Sequence, residues 1–519
     1  MRHAIAAAVY ADRLARSTDG RSHAPGTPVA VVDIGSNSGR VVVLRAEESG
    51  HLEVLANGRA PLRLARDLRG NDRLSAQTIE HTSAAILDFR SIAASAGAGT
   101  VVAVATSAVR ESRNAAELLA RIEADSGVRV RVIDGDEEAR YTFLGAVQGL
   151  AVAGGLVADL GGGSLELTRF RDRRAVRSWT LPLGSLRLSD QFLQTDPPAK
   201  KELVALADYV RATLQDAGLG ELVSGERLVG TGGTIRNLAK IDQTARPYPI
   251  PRLHGYVLDR PRIADIADLL ASRPALRRRF VRGLSRDRAD SVVGGTLAVL
   301  SLMEHVSSPS LTVSSHGLRE GLALDTLSIA SAPLEHVRNA SVRSLTSRFS
   351  TFDPRRAQRR ATIAISVLTS LEPGGGANER ERLDHAATLL DVGRSVDYYR
   401  RFQHTADIVT EADLDGFSHR KLALLSAIVR QAGDQGMKIA RYRPLLSGAD
   451  GPPVARLATL LALADEIERH LPQAHEGDVG CRVHGKRVVI EAPVHDPWRR
   501  DALSERFRTA FGRRLQFED

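Results

Sequence analysis

Two short strings constrain this chain more than anything else in it. Asp33-Ile34-Gly35-Ser36-Asn37-Ser38 and Asp159-Leu160-Gly161-Gly162-Gly163-Ser164 share the pattern Asp-[Ile/Leu]-Gly-x-x-Ser. Each follows one apolar run and precedes another, so each reads as strand, glycine turn, strand. Two copies predict two related halves. Glycine at such a turn lets backbone N–H groups approach an anion with no side chain in the way. An Asp at the strand end is placed to hold a metal or its water. Two such hairpins facing each other would clamp phosphate groups in a cleft between the halves. A third glycine turn, Gly230-Thr231-Gly232-Gly233-Thr234, precedes a helical pattern at 235–241, and amides at a helix start also attract anions.

Around these strings, apolar runs at 101–105 and 128–133 alternate with helical patterns at 75–96, 114–124 and 136–150. Alternation of this kind predicts an α/β fold up to about residue 330. Beyond Pro333 the periodicity is helical, with stretches at 336–349, 354–371, 380–390, 421–432 and 454–470. The last piece reads as two short strands (481–483 and 487–491), a helix at 500–512 and a final strand. The predicted division is a flexible leader over 1–28, lobes at 29–140 and 141–330, a helical domain at 331–475 and a small α+β domain at 476–519.

Composition adds exclusions. No apolar stretch reaches the roughly 18 residues of a membrane span. The single cysteine, Cys481, rules out a disulfide framework and a cysteine-based zinc cluster, which suits a cytoplasmic location. The formal net charge is +9, with arginine supplying nearly all the positive charge. Such a surface favours a polyanionic partner. The clusters at Arg277-Arg278-Arg279-Arg282 and Arg355-Arg356-Arg359-Arg360 are expected to be mainly solvated helix faces, or else a track for a long polyanion.

DIGSNSGR (33–40), ATSAVRESRN (105–114), DGDEEARYTFLG (134–145), DLGGGSLEL (159–167), LPLGSLRL (181–188), GTGGTIRNLAKI (230–241) and SHGLREGL (315–322) together resemble the exopolyphosphatase/guanosine pentaphosphate phosphatase family. The order and spacing match across 29–325. The resemblance implies a duplicated actin–Hsp70–sugar kinase fold of ribonuclease H-like α/β type, followed by an all-α HD-like domain and a small α+β domain, as in the long bacterial forms. It implies hydrolysis of terminal phosphoanhydride bonds of inorganic polyphosphate with Mg²⁺, and a monovalent cation such as K⁺ as a further candidate. The alternatives are guanosine pentaphosphate 5′-phosphohydrolysis, a non-catalytic polyphosphate or nucleotide sensor, and a sugar-kinase-type phosphotransferase. A homodimer is expected, with no specific nucleic acid as partner.

The residues themselves leave Glu137 and Glu138 as equal candidates for a base, since acidic residues favour any first helical turn. The resemblance assigns Glu137 as the base that activates water, with Glu166 as a second catalytic carboxylate. It assigns Asp159 and Glu166 to Mg²⁺, with Asp33 as a third candidate. Phosphate contacts are expected from Gly35, Ser36, Asn37, Ser38 and Arg40 of the first turn, and from Gly161, Gly162, Gly163 and Ser164 of the second. Gly232, Gly233 and Thr234 of the third turn, with Arg110 and Arg319, complete the set. Arginine suits this work because its planar fork pairs with two phosphate oxygens at once.

Two departures from the family pattern bear on the cleft. Gly39 replaces a bulky apolar residue that would shape the distal pocket, and Asp134 stands where serine is common, adding a carboxylate near the phosphate path. In the helical domain, Leu390-Asp391 lacks the histidine of an HD pair, and 401–404 keeps only His404. That domain is therefore expected to serve dimerisation or chain binding, without a catalytic metal.

Overall fold

The computed structural model describes residues 26–518 apart from 48–50, 69–71, 330–332, 375, 435 and 473–478. The expected leader falls outside the described residues up to position 25, and so do the expected boundaries at 330/331 and 475/476.

The first lobe is built on β1 (Val29–Ile34), β2 (Ser38–Ala46), β3 (Leu52–Pro61), β4 (Thr100–Ala105) and β5 (Val130–Val132), in the order β3-β2-β1-β4-β5. The β-branched run of β1 is buried on both faces, as a central strand requires. The second lobe holds β6 (Gly155–Leu160), β7 (Leu165–Arg171), β8 (Arg174–Leu181), β9 (Arg227–Thr231), β10 (Val257–Asp259) and β11 (Ser310–Val313), in the order β10-β11-β9-β6-β7-β8. Matching β6, β7, β8, β9 and β11 to β1 through β5 makes the two orders identical, with β10 as an added edge. The directions match too: β1–β2 and β6–β7 are antiparallel, β1–β4 and β6–β9 parallel. The duplication expected from the two strings is a duplication of whole sheets.

The helices Gly135–Gln148 and Leu318–Thr326 lie between the sheets. Tyr141, Leu318 and Leu322 pack on Val29, Val31 and Val42 of the first sheet, while Phe143, Ala146 and Val147 pack on Val157, Phe170 and Val229 of the second. The two helices cross at glycines. A methyl on Gly145 would overlap the carbonyl oxygen of Gly317, and one on Gly321 would overlap that of Tyr141. Only residues without a Cβ allow this approach.

After Pro333 come helices Leu334–Ser347, Pro354–Leu371, Ala377–Leu389, Arg401–Glu411, His419–Gly433 and Gly451–His470. The helix at 401–411 had no expectation behind it. The C-terminal piece forms β12 (Cys481–His484), β13 (Arg487–Glu491), a helix Pro497–Phe511 and β14 (Arg514–Glu518), ordered β12-β13-β14. Its Ile490, Phe507 and Leu515 share one core with Leu457, Leu461 and Leu425 of the helical region. Ile250, from the second lobe, enters the same core. The helical region is further tied to that lobe by Arg252 donating to the Leu414 carbonyl (2.9 Å) and by the ring N–H of His419 at the His254 carbonyl (2.9 Å).

The arginine clusters divide: Arg277, Arg279, Arg282 and Arg355 are exposed, as on a solvated helix face, and the other four are tied down within the fold. Arg278 is buried and donates to the carbonyls of Leu270 (2.8 Å) and Ala289 (3.0 Å). Arg356 and Arg359 both bind the buried carboxylate of Glu468, at 2.7 and 2.6 Å. Arg360 is fully buried between Asp391 (3.0 Å) and Asp465 (3.1 Å), and Arg401 takes the other oxygen of Asp465 at 2.7 Å. Asp391, at the position of the HD aspartate, is thus paired with Arg360.

Candidate active site

A cleft opens where the glycine turns of the two sheets meet. In the first turn Gly35 N–H donates to the Ser38 carbonyl (3.2 Å), and in the second Gly161 N–H donates to the Ser164 carbonyl (3.0 Å). Each turn is clasped from outside in the same way. Leu62 and Arg63 amides bond the Asn37 carbonyl, and Leu186 and Arg187 amides bond the Gly162 carbonyl. The turns also touch: Ser36 Oγ bonds Ser107 Oγ at 2.8 Å, and a methyl on Gly163 would come within 2.8 Å of that Ser107 oxygen. The third turn reaches the same cleft through Thr231, Gly232 and Gly233. Gly232 has φ of 93°, and the guanidinium of Arg288 lies so close over Gly233 that a Cβ there would have to displace it.

The register sets the charges. Asp33 on β1 stands directly opposite Arg40 on β2, and Asp159 on β6 directly opposite Glu166 on β7. Equivalent positions in the two halves thus carry a cation on one side and an anion on the other. Helix Gly135–Gln148 adds Glu138, and the start of helix Leu318–Thr326 adds Arg319 and Glu320.

Two crowds of like charge result. Burial and the neighbouring Glu166 and Asp159 push Glu138 well above the usual carboxylate range. Burial, then Asp159, push Glu166 up to about 8. Burial raises Asp159 as well, and raises Asp33 to about 6 against the pull of Arg319 and Arg40. On the other side, burial and the Arg319 charge bring Arg236 down to about 10, burial and Arg40 bring Arg288 down to about 10, and burial and Arg236 bring Arg40 down to about 9. Glu320 stays below its ordinary value despite burial, held by Arg319, His316 and the Gly317 N–H (2.7 Å). An anion would relieve the arginines and a cation the carboxylates.

The carboxylate side fits a hard divalent cation. Glu138 Oε2 and Glu166 Oε1 are buried and have no hydrogen-bond partner, and oxygen donors alone suit Mg²⁺. These raised carboxylates also set a pH dependence. Between pH 4.5 and 8 the folded chain holds a proton on Glu166 that the unfolded chain has lost, so this group's effect on stability worsens as pH rises through that window. In chelator, Glu166→Gln is expected to melt above wild type at pH 8 and near it at pH 5. Added Mg²⁺ should narrow the gap by stabilising wild type. Calorimetry that shows no gap at pH 8 would contradict the crowding.

Several expectations change here. Glu137 lies on the outer side of its helix, paired with Arg131 of β5, whereas Glu138 faces the cleft. Arg110 sits behind Glu138, 3.6 Å from its Oε2, and donates to the Ile133 carbonyl at 2.6 Å. Thr234 turns back toward Gly295 and does not line the cleft. Asp134 is the N-cap of helix Gly135–Gln148, accepting from the Glu137 N–H at 2.8 Å; Asp caps as well as Ser does, so no carboxylate is added to the phosphate path. Gly39 faces the lobe core, where a Cβ would press on Leu62 (2.9 Å) and Phe89 (3.2 Å), and so has no part in shaping the pocket. Asp33, Gly35, Ser36, Asn37, Ser38, Arg40, Asp159, Gly161, Gly162, Ser164, Gly232, Gly233 and Arg319 all line the cleft, and Glu166 lies buried beneath it. Thr106, Ser107, Arg236, Arg288 and Glu320 line it without having been singled out. The available signal for Glu138 was its helix face, shared with Tyr141, Thr142 and Gly145, whereas Glu137 shares Arg140.

Two sheets of one topology with a phosphate-adapted cleft between them define a duplicated actin-like fold of the actin–Hsp70–sugar kinase class. Comparison with known proteins narrows this. The Ppx/GppA phosphatase family model matches residues 42–329, and that of Ppx/GppA phosphatase, domain III, matches 337–498. The chain belongs to the Ppx/GppA phosphatase family and is by that membership a phosphohydrolase. Exopolyphosphatase 1 of Mycobacterium leprae is 32% identical over 306 residues, covering 58% of this chain and 89% of that protein. Exopolyphosphatase 1 of Mycobacterium tuberculosis H37Rv is 30% identical over 303 residues, covering 58% and 88%. The crystal structure of the Aquifex aeolicus family member aligns with a TM-score of 0.52 at 29% identity, over 58% of this chain and 98% of that one. No helix among the described residues is long and apolar enough to cross a membrane.

Proposed function

We propose that the chain is an Mg²⁺-dependent exopolyphosphatase that releases orthophosphate from the end of inorganic polyphosphate. The observation that carries this is Glu138: a buried carboxylate with one oxygen free of hydrogen bonds, lining a cleft shared with the glycine turns and a crowd of arginines. The names of the similar mycobacterial proteins support the same substrate.

In this reading the amides of the two facing turns hold the terminal phosphate. Arg40, Arg236, Arg288 and Arg319 neutralise the charges of the terminal and following phosphates. Glu138 takes a proton from a water as that water's oxygen bonds to the terminal phosphorus. The bridging P–O bond breaks, and the shortened chain leaves with the negative charge on its new terminal oxygen, stabilised by the arginines. Arg110, beside Glu138, holds the carboxylate in place. Glu166 and Asp159, with Asp33, would hold Mg²⁺, which supplies charge neutralisation for the carboxylates and phosphate oxygens together.

Orthophosphate release from long-chain polyphosphate, run beside guanosine pentaphosphate at equal enzyme and Mg²⁺, tests the substrate. The expected result is a higher kcat/KM for polyphosphate. Faster release from guanosine pentaphosphate would reassign the chain to the nucleotide-directed activity of its family, and release from neither would sink the proposal.

A further inference from the structure

Behind the cleft, where the second lobe meets the helical region, lies a second cluster of chemistry-bearing side chains. His254, His316 and Asp415 each offer a ligand atom, and these atoms all lie within 4.8 Å of one another. His254 is 3% and Asp415 7% exposed. Despite that burial, His254 Nε2 and Asp415 Oδ1 have no hydrogen-bond partner. Buried polar atoms of this kind are costly when unpaired, so each calls for a partner. They border one small gap. A methyl on Gly149 would stand 2.5 Å from Asp415 Oδ1 and 2.8 Å from His254 Nε2, so the glycine leaves room for an atom between them.

We propose that His254, His316 and Asp415 form a binding site for a transition-metal dication of the Zn²⁺ type. Two imidazoles and one carboxylate are a borderline donor set, suited to Zn²⁺ and poorly to Mg²⁺. Three protein ligands leave a fourth position for water.

The surroundings orient the ligands. The second oxygen of Asp415, Oδ2, is bonded to His51 Nδ1 at 3.0 Å, and such outer partners commonly fix a ligating carboxylate. The backbone beside Asp415 is anchored by the Gly416 N–H at the Gly149 carbonyl (2.8 Å). The rings of His254 and His316 lie 4.5 Å apart, tilted by 30°. In the metal-free chain the Ser315 N–H donates to His254 Nδ1 at 3.3 Å, so the neutral ring carries its proton on Nε2. Binding at Nε2 moves that proton to Nδ1 and releases the Ser315 amide from a contact that is already long.

The site joins parts that must keep their places. Asp415 belongs to the helical region, His254 and His316 to the second lobe, and His51 to the first. The His316 carbonyl accepts from Thr231 Oγ1 at 2.8 Å, and the next residues, Gly317 to Glu320, line the catalytic cleft. A metal here would pin the helical region to the loop that delivers Arg319.

The test uses the full chain without a histidine tag, stripped with chelator and titrated with Zn²⁺ by calorimetry and with Co²⁺ by visible absorption. One tight equivalent of Zn²⁺ and intense bands of nitrogen-ligated, four-coordinate Co²⁺ are expected. His316→Gln, at a half-buried position, should weaken binding by about 100-fold or more, since losing a ligand exceeds the roughly 10–100-fold cost of losing an outer partner. Asp415→Asn should do the same; if it does not fold, His316→Gln decides alone, with its fold checked by circular dichroism in chelator. Glu166→Gln should keep the tight equivalent. No tight Zn²⁺, equal affinity in His316→Gln, or a tight equivalent lost only in Glu166→Gln would each overturn the proposal, the last by placing the metal in the catalytic cleft.

Discussion

Glu138→Gln is expected to lower kcat by roughly 10²–10⁴-fold, the span of a general base's contribution. Glutamine keeps the shape and loses the capacity to take a proton. Because Glu138 is crowded by Glu166 and Asp159, the variant should fold at least as stably as wild type, so lost turnover will not be lost protein. KM for polyphosphate should change little, since the arginines and glycine turns remain. Glu137→Gln is the matched control. It gives up a half-exposed ion pair with Arg131, worth about 0–1 kcal/mol, and should turn over near wild type. Steady-state phosphate release by the two variants reads the difference, and the opposite ranking would return the role to Glu137.

Gly321→Ala should damage both folding and turnover. The added methyl would overlap the Tyr141 carbonyl oxygen, which belongs to a helix backbone and cannot rotate away. Overpacking of this kind costs about 1–3 kcal/mol where neighbours adjust, and here two helices must part. Those helices carry Glu138 on one side and Arg319 with Glu320 on the other. Separating them shifts base and arginine against each other, and a displacement near 1 Å can cost about 10²-fold in rate. Gly374, with nothing within 4 Å of an added Cβ, is the control and should tolerate alanine. Thermal melting and kcat/KM of both variants check this; a Gly321→Ala protein that melts and works like wild type would show that the helices are not so tightly crossed.

The parts of the site legible in the sequence are those fixed by backbone demands. A glycine turn between two apolar runs has few structural solutions, so the two Asp-Gly turns predicted paired hairpins, and both lobes carry them at equivalent places. Charges fixed by strand register were within reach as well: Asp159 and Glu166 flank one turn and face each other across it. What escaped was rotation and company. Glu137 and Glu138 differ by about 100° around a helix, and within a first turn rich in acids only the residues one and two turns further on mark which face is turned inward. Arg236, Arg288 and Glu320 are brought to the cleft by elements far apart in the chain, and one arginine among so many carries no local mark. Gly39 and Asp134 were read for the cleft because of where they stand in motifs, yet one makes room for Leu62 and Phe89 and the other caps a helix. The clusters around Arg278 and Arg356 were legible by halves: Arg277, Arg279, Arg282 and Arg355 are exposed as a solvated face would be, whereas the buried carbonyls and Glu468 that receive Arg278 and Arg356 come into view only in the fold.

The most direct measurement of the central claim is turnover of polyphosphate in ¹⁸O-labelled water with no acceptor present, followed by mass spectrometry of the orthophosphate released. Attack by water on the terminal phosphorus predicts one labelled oxygen in each orthophosphate from wild type, and the same labelling at a much lower rate from Glu138→Gln. Orthophosphate without label, or release only when an acceptor alcohol or nucleotide is supplied, would contradict hydrolysis in this cleft.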